Sequence, residues 1–159
     1  MKRYIWHLLA AAAAITVSCN TKVEKSESQL PVKTYTGDYV SDGYAQRDEG
    51  YDWSVVSIEQ SGDSTFNISV RSRADIKKES CSFNAAAVLS ATGDTLISRY
   101  DDANIYFTVS ADTLTISSDT PSILYFFCSG GATLAGEYVR LHEKLETRQL
   151  ADTIRQSNN

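Results

Sequence analysis

From Thr34 to Leu141 the chain alternates between apolar and polar residues in short runs. Phe66, Ile68 and Val70 against Asn67, Ser69 and Arg71 is the clearest case. A two-residue period with β-branched and aromatic residues on one side marks half-buried strands. Nine such runs follow one another: Thr34–Val40, Trp53–Gln60, Phe66–Arg73, Cys81–Ser90, Thr95–Tyr100, Ile105–Ser110, Thr113–Ser117, Ile123–Cys128 and Leu134–Leu141. Their regular spacing predicts an all-β fold, a small antiparallel barrel or sandwich of about 8–9 strands, since closure disposes of exposed sheet edges.

Three connections are very short: Ser61-Gly62-Asp63-Ser64, Thr92-Gly93-Asp94-Thr95 and Ala111-Asp112-Thr113. Glycine reaches positive φ without strain and aspartate bonds its own backbone, so these are tight hairpins joining sequence neighbours. An up-and-down meander then puts the three turns at one end. The longer connections 41–52, 74–80, 101–103 and 118–122 gather at the other, bringing Tyr44, Tyr51, Lys77, Lys78, Asp101 and Asp102 with them. The strict meander also sends Cys81 and Cys128 to opposite ends. Barrel shear, a misread strand or a crossing of the last strands would bring them together.

Thr36-Gly37-Asp38-Tyr39-Val40 and Ala135-Gly136-Glu137-Tyr138-Val139 are alike. Either the first and last strands lie side by side and close the barrel, or the likeness is a coincidence in a tyrosine-rich β protein. Beyond Arg140 the period changes. Leu141, Leu145, Leu150 and Ile154 mark one face of an expected C-terminal helix within 142–159, ending in a frayed tail.

The first residues carry a different pattern. Lys2 and Arg3 precede an apolar run from Tyr4 to Val17, the layout of an export signal and too short to span a bilayer, which takes about 20 apolar residues. Thr16-Val17-Ser18-Cys19 at its end resembles the signal of bacterial lipoproteins, with Thr16 where that family usually has leucine. The resemblance implies a signal peptide 1–18, a lipidated Cys19 and anchorage to a membrane of the cell envelope. The outer membrane is expected, with the domain in the periplasm or at the cell surface. Residues 19–33 are polar, mixed in charge and aperiodic, which reads as a tether. The domain is then 34–141.

Cysteine parity agrees. With Cys19 carrying lipid, Cys81 and Cys128 remain as one pair in an oxidising compartment, and a disulfide between them is expected. The mature chain of 141 residues is long enough for one domain. It has 13 basic and 20 acidic residues, net −7. That balance argues against nucleic acid or an anionic surface as an electrostatic partner.

The residue inventory narrows the chemistry. His142 is the single mature histidine, no nucleophile elbow is present, and a site of several His or Cys ligands cannot be assembled. Gly130-Gly131 lacks the lysine and the context of a phosphate loop. No cofactor is expected. Carboxylates are the remaining enzymatic route, through Asp48, Glu49 and Asp52 or through Asp101 and Asp102, as an acid–nucleophile pair or a calcium site. Neither cluster has a specific spacing, and acidic loops of this kind are usually solvated turns.

Binding is the leading expectation. The loop Ser41–Asp52 exceeds the usual hairpin length, and it presents Tyr44, Tyr51 and, at its exit, Trp53. Long loops are often functional and such aromatics dominate contact energies. They also serve to plug a barrel mouth. The strand count and tail resemble small lipocalin-like barrels. Signal, lipid cysteine, small barrel and disulfide together resemble the bacterial lysozyme-inhibitor lipoproteins. Ser129-Gly130 matches the opening of their inhibitory loop, without its following tyrosine. The expected function is a non-enzymatic envelope binding or support module, with a carboxylate-based hydrolase or a lysozyme-inhibitor-like protein as alternatives.

Overall fold

The computed structural model describes residues 34–151. Cys19, the tether, Ile154 and the last residues of the expected helix lie outside them. Eight strands form a closed antiparallel barrel in sequence order. They are β1 (Gly37–Val40), β2 (Ser54–Gln60), β3 (Thr65–Ser72), β4 (Ser82–Leu89), β5 (Thr95–Tyr100), β6 (Ala103–Ser110), β7 (Thr113–Ser118) and β8 (Gly136–Arg140). The sandwich alternative falls away.

The two-residue period sets the inner face. Val56, Ile58, Phe66, Ile68, Val70, Phe83, Leu96, Ile105, Phe107, Leu114 and Ile116 point inward and belong to one continuous core. Each of them is no more than 5 % exposed. Exposure this low leaves no water-sized room beside these side chains. Ala85 and Leu89 of β4 are only partly buried, but they pack against a core that is filled rather than hollow.

Closure rests on the Gly-x-Tyr repeat. β1 pairs with β8 through Tyr39↔Arg140 and Val40↔Val139. Gly37 and Gly136 both hold positive φ, 139° and 150°, conformations that L side chains rarely adopt. Two residues on, Tyr39 and Tyr138 turn inward. Each donates its hydroxyl to the carbonyl four residues earlier, Tyr39 to Tyr35 at 2.8 Å and Tyr138 to Leu134 at 3.1 Å. The likeness is one structural device used twice, where the first and last strands meet. Burial pushes the Tyr138 phenol up to about 12.

The run Ile123–Cys128 is not a strand. Ile123–Phe126 is a single helical turn, α1, lying in the connection from β7 to β8. Six consecutive apolar residues show no alternation, and such a run cannot be assigned by period alone. Its location explains its composition. β4 and β5 pair only at Val88↔Ile97 and Leu89↔Leu96. Below that point Phe127 fills the parting, with ring centroids 4.7 Å from Phe83 and 4.9 Å from Tyr100. The Ser82 amide donates to the Phe127 carbonyl at 3.0 Å.

That correction also resolves the cysteine conflict. Cys128 follows α1 at the same end of the barrel where Cys81 enters β4, and the two are disulfide-bonded with Cα atoms 4.1 Å apart. The tail differs from expectation as well. Leu141–Leu150 is not helical, and of the tail's described residues helix is assigned only at Ala151. Leu141, Leu145 and Leu150 instead pack as a strap with Val40, Tyr44, Trp53 and Val55. Val40 and Val55 are the outward-facing neighbours of Tyr39 and Val56, so this second cluster covers the outside of the β1–β2 wall. Backbone bonds to the barrel hold the strap: Leu141 donates to Asp38 and the Ala74 amide donates to Gln149, both at 2.8 Å. An extended strap gains those bonds and keeps its leucines on the wall, which outweighs the weak drive of so short a helix.

Candidate functional site

The register places the three tight turns, with Tyr35, at one end of the barrel. The other, broad end collects the β1–β2, β3–β4, β5–β6 and β7–β8 connections, as the meander predicts. The Ser41–Asp52 loop is largely ordered as 3-10 turns over Asp42–Glu49.

Of the three aromatic candidates, two are interior. Tyr44 is 4 % and Trp53 2 % exposed, packed edge to face with centroids 4.9 Å apart. The Glu146 amide donates to the Tyr44 hydroxyl at 2.9 Å, and the Trp53 indole donates to Gln149 Oε1 at 2.8 Å. Arg47 lies over the Tyr44 ring at 4.3 Å. Their partners are the strap and the outer wall, and neither ring is offered to solvent. Tyr51 is, at 56 % exposed.

Arg73 fixes this loop to the next one. Buried to 5 % exposure, it donates to the carbonyls of Arg47 at 2.6 Å and Tyr51 at 3.0 Å, and it pairs with Asp75. Those hydrogen bonds hold the Asp75 carboxyl below its ordinary range. Ser72 does similar work for the β3–β4 connection, its hydroxyl accepting from the Ser80 and Cys81 amides at 2.9 and 2.8 Å. Neither residue stands out in the sequence, because both finish an ordinary alternating strand.

A cleft of about 670 Å³ opens between three connections at the broad end. Asp52 and Trp53 line it from the first, Lys77, Lys78 and Ser80 from the second, and Ser129–Thr133 from the third. Asp52 and Lys77 form an ion pair across it. The disulfide joins the second and third walls, and the Ser129 amide donates to the Ser80 carbonyl at 2.7 Å. Beside it the rim carries exposed apolar surface: Ile76, Tyr125 and Phe126 are 61, 54 and 68 % exposed.

The acidic candidates do not converge. Asp52 is taken up by Lys77, and among the described residues no three His, Cys, Asp or Glu gather as a metal site. His142 is exposed and meets Asp112 at the tight-turn end, 3.3 Å away. Among the described residues no helix is long and apolar enough to cross a membrane. The chain matches no protein-family model, no curated protein and no solved structure.

Proposed function

We propose that this chain is a lipid-anchored protein of the bacterial cell envelope, non-enzymatic, which engages an envelope component through the broad end of its barrel. One observation carries the reading of where it binds: the inner face is filled, so a ligand has no room along the barrel axis, whereas the broad end holds an open cleft and exposed aromatic rings. Cys19 supplies the anchor, on the strength of the export signal and of the pairing that leaves it the odd cysteine. The cross-linking of the broad-end walls by Arg73 and by the disulfide supports a preformed surface, which lowers the ordering cost of binding.

The test is capture by the purified lipoprotein of peptidoglycan, lysozyme and envelope oligosaccharides, wild type against Tyr51→Ala and Phe126→Ala, with fatty-acid labelling of wild type and Cys19→Ser alongside. Expected are loss of label in Cys19→Ser, and capture that weakens in the two exposed-ring variants without a change in melting temperature. Label that persists in Cys19→Ser overturns the anchor. Capture that is indifferent to both rings, or release of soluble fragments from peptidoglycan, overturns the binding reading.

A further inference from the structure

We infer that the broad-end cleft is a site for a carboxylate-bearing saccharide, with Lys78 and the Gly130-Gly131 turn as the carboxylate-recognising groups; this rests on the reading that the broad end binds.

The turn is the first observation. The Ala132 amide donates to the Ser129 carbonyl at 3.2 Å, closing a four-residue turn, and both central residues are left-handed, φ 66° at Gly130 and 81° at Gly131. Two consecutive positive φ values define the mirror-image turn that glycine alone adopts without strain. A Cβ at either glycine would meet nothing within 4 Å, so the backbone here borders open space. Neither glycine N–H has a hydrogen-bond acceptor among the described residues. Two adjacent free amides at the edge of a cleft are anion receptors.

Charge is the second. The domain is acidic, yet the second wall of this cleft contributes two lysines, Lys77 and Lys78. Asp52 pairs with Lys77 across the cleft. Lys78 has no ion-pair or hydrogen-bond partner among the described residues. One cation is thus positioned and the other is available.

The remaining lining decides between a simple anion and a sugar acid. Ser41, Ser54, Ser80, Ser129 and Thr133 bring five hydroxyls to the cleft. Those engaged within the protein keep a further function for a ligand. Ser41 and Thr133 accept from the amides of Ser54 and Ala135 and can still donate, while Ser80 donates to the Ser72 hydroxyl and Ser129 to the Ser80 carbonyl and both can still accept. Trp53, at 2 % exposure, contributes almost no apolar contact. A wall of hydroxyls that both donate and accept fits a polyhydroxylated skeleton. The cleft volume lies in the usual range for a small ligand.

A matched pair of sugars tests this. N-acetylmuramic acid and N-acetylglucosamine share a pyranose and an acetamide and differ by a lactyl carboxylate. Each is titrated into the ¹⁵N-labelled exported protein in detergent micelles, following backbone amides. The expected result is saturable shifts at Gly130, Gly131 and Lys78 with the acid, and at least fivefold weaker binding of the neutral sugar. Lys78→Gln should weaken the acid about fivefold, the scale of one exposed charge contact, while Lys144→Gln should not. Equal binding of both sugars, or an affinity indifferent to Lys78→Gln, overturns the carboxylate site. Shifts confined to Tyr51 or Tyr125 overturn the cleft and leave the broad end as the binding surface. Shifts on the inner face, at Phe107 or Leu114, overturn both. No shift with either sugar at millimolar concentration overturns the ligand class, while capture by the exposed rings is decided by its own assay.

Discussion

At the tight-turn end, local chemistry closes each hairpin. Asp94 accepts from the hydroxyls of Thr92 at 2.7 Å and Ser90 at 2.9 Å, and the amides of Ser61 and Gly62 both reach the Thr65 carbonyl. The Thr92 and Ser90 hydroxyls hold the Asp94 carboxyl below its ordinary range. At the broad end Ser72 closes the β3–β4 connection locally as well, but the connections there are also tied to one another. Arg73 ties loops 22 and 26 residues apart, Gln149 reaches Trp53 across 96 residues, and the disulfide spans 47. The tight turns are held mainly by contacts that form with each hairpin, whereas the broad end adds contacts that exist only once the barrel has closed. That difference puts the preformed, adaptable surface at the broad end and leaves the tight turns little beyond their own geometry.

The broad end depends most on Trp53. Trp53→Ala removes the centre of the outer cluster, and we expect a loss of about 3–5 kcal/mol in chemical denaturation, with the strap released to exchange its amides. A loss near zero would mean that the strap is decoration. Next is the disulfide. Paired Cys81→Ser and Cys128→Ser substitutions should lower stability by about 2–5 kcal/mol, read as a shift of the denaturation midpoint that reductant reproduces in the wild type.

Closure can be probed by alkali. The Tyr138 phenol is raised to about 12 from 10, so the folded state holds its proton more tightly than the unfolded state. Its stabilising contribution is complete below pH 10 and is lost as pH rises toward 12, on the order of 2–3 kcal/mol. Tyr138→Phe should flatten that part of the stability–pH curve. The smallest effect belongs to the tight-turn end, where Ala111 sits at φ 51°. Ala111→Gly should relieve this conformation and stabilise by about 0.5–1 kcal/mol, seen as a raised melting temperature.

What could be read from the sequence follows the same division. Hairpins such as Thr92–Thr95 and the alternation through Phe66–Val70 are short-range patterns. Eight of the nine runs they marked are strands, paired in a meander, and the Gly-x-Tyr likeness offered closure as one of two readings. The run Ile123–Cys128 misled because a turn of helix plugging a parted wall looks like a buried strand. Leu141, Leu145 and Leu150 suggested a helix because leucines at four- and five-residue spacing fit a helix face as well as an extended strap. Tyr44 and Trp53 carried the expected aromatic richness, but no local pattern distinguishes a ring facing solvent from one facing a distant strap. The cleft was illegible for the same reason, since its walls come from segments about 25 to 50 residues apart.

Binding at the rim rather than along the axis requires a filled interior, and methyl resonances report that interior most directly. Ile58, Ile68, Ile105 and Ile116 line the inner face at 0–2 % exposure. Titrating the ¹³C-methyl-labelled protein with a long-chain fatty acid should leave all four unshifted at saturating concentration. A saturable shift of these methyls would show a barrel that opens around an apolar ligand, and would move the binding site from the rim to the axis.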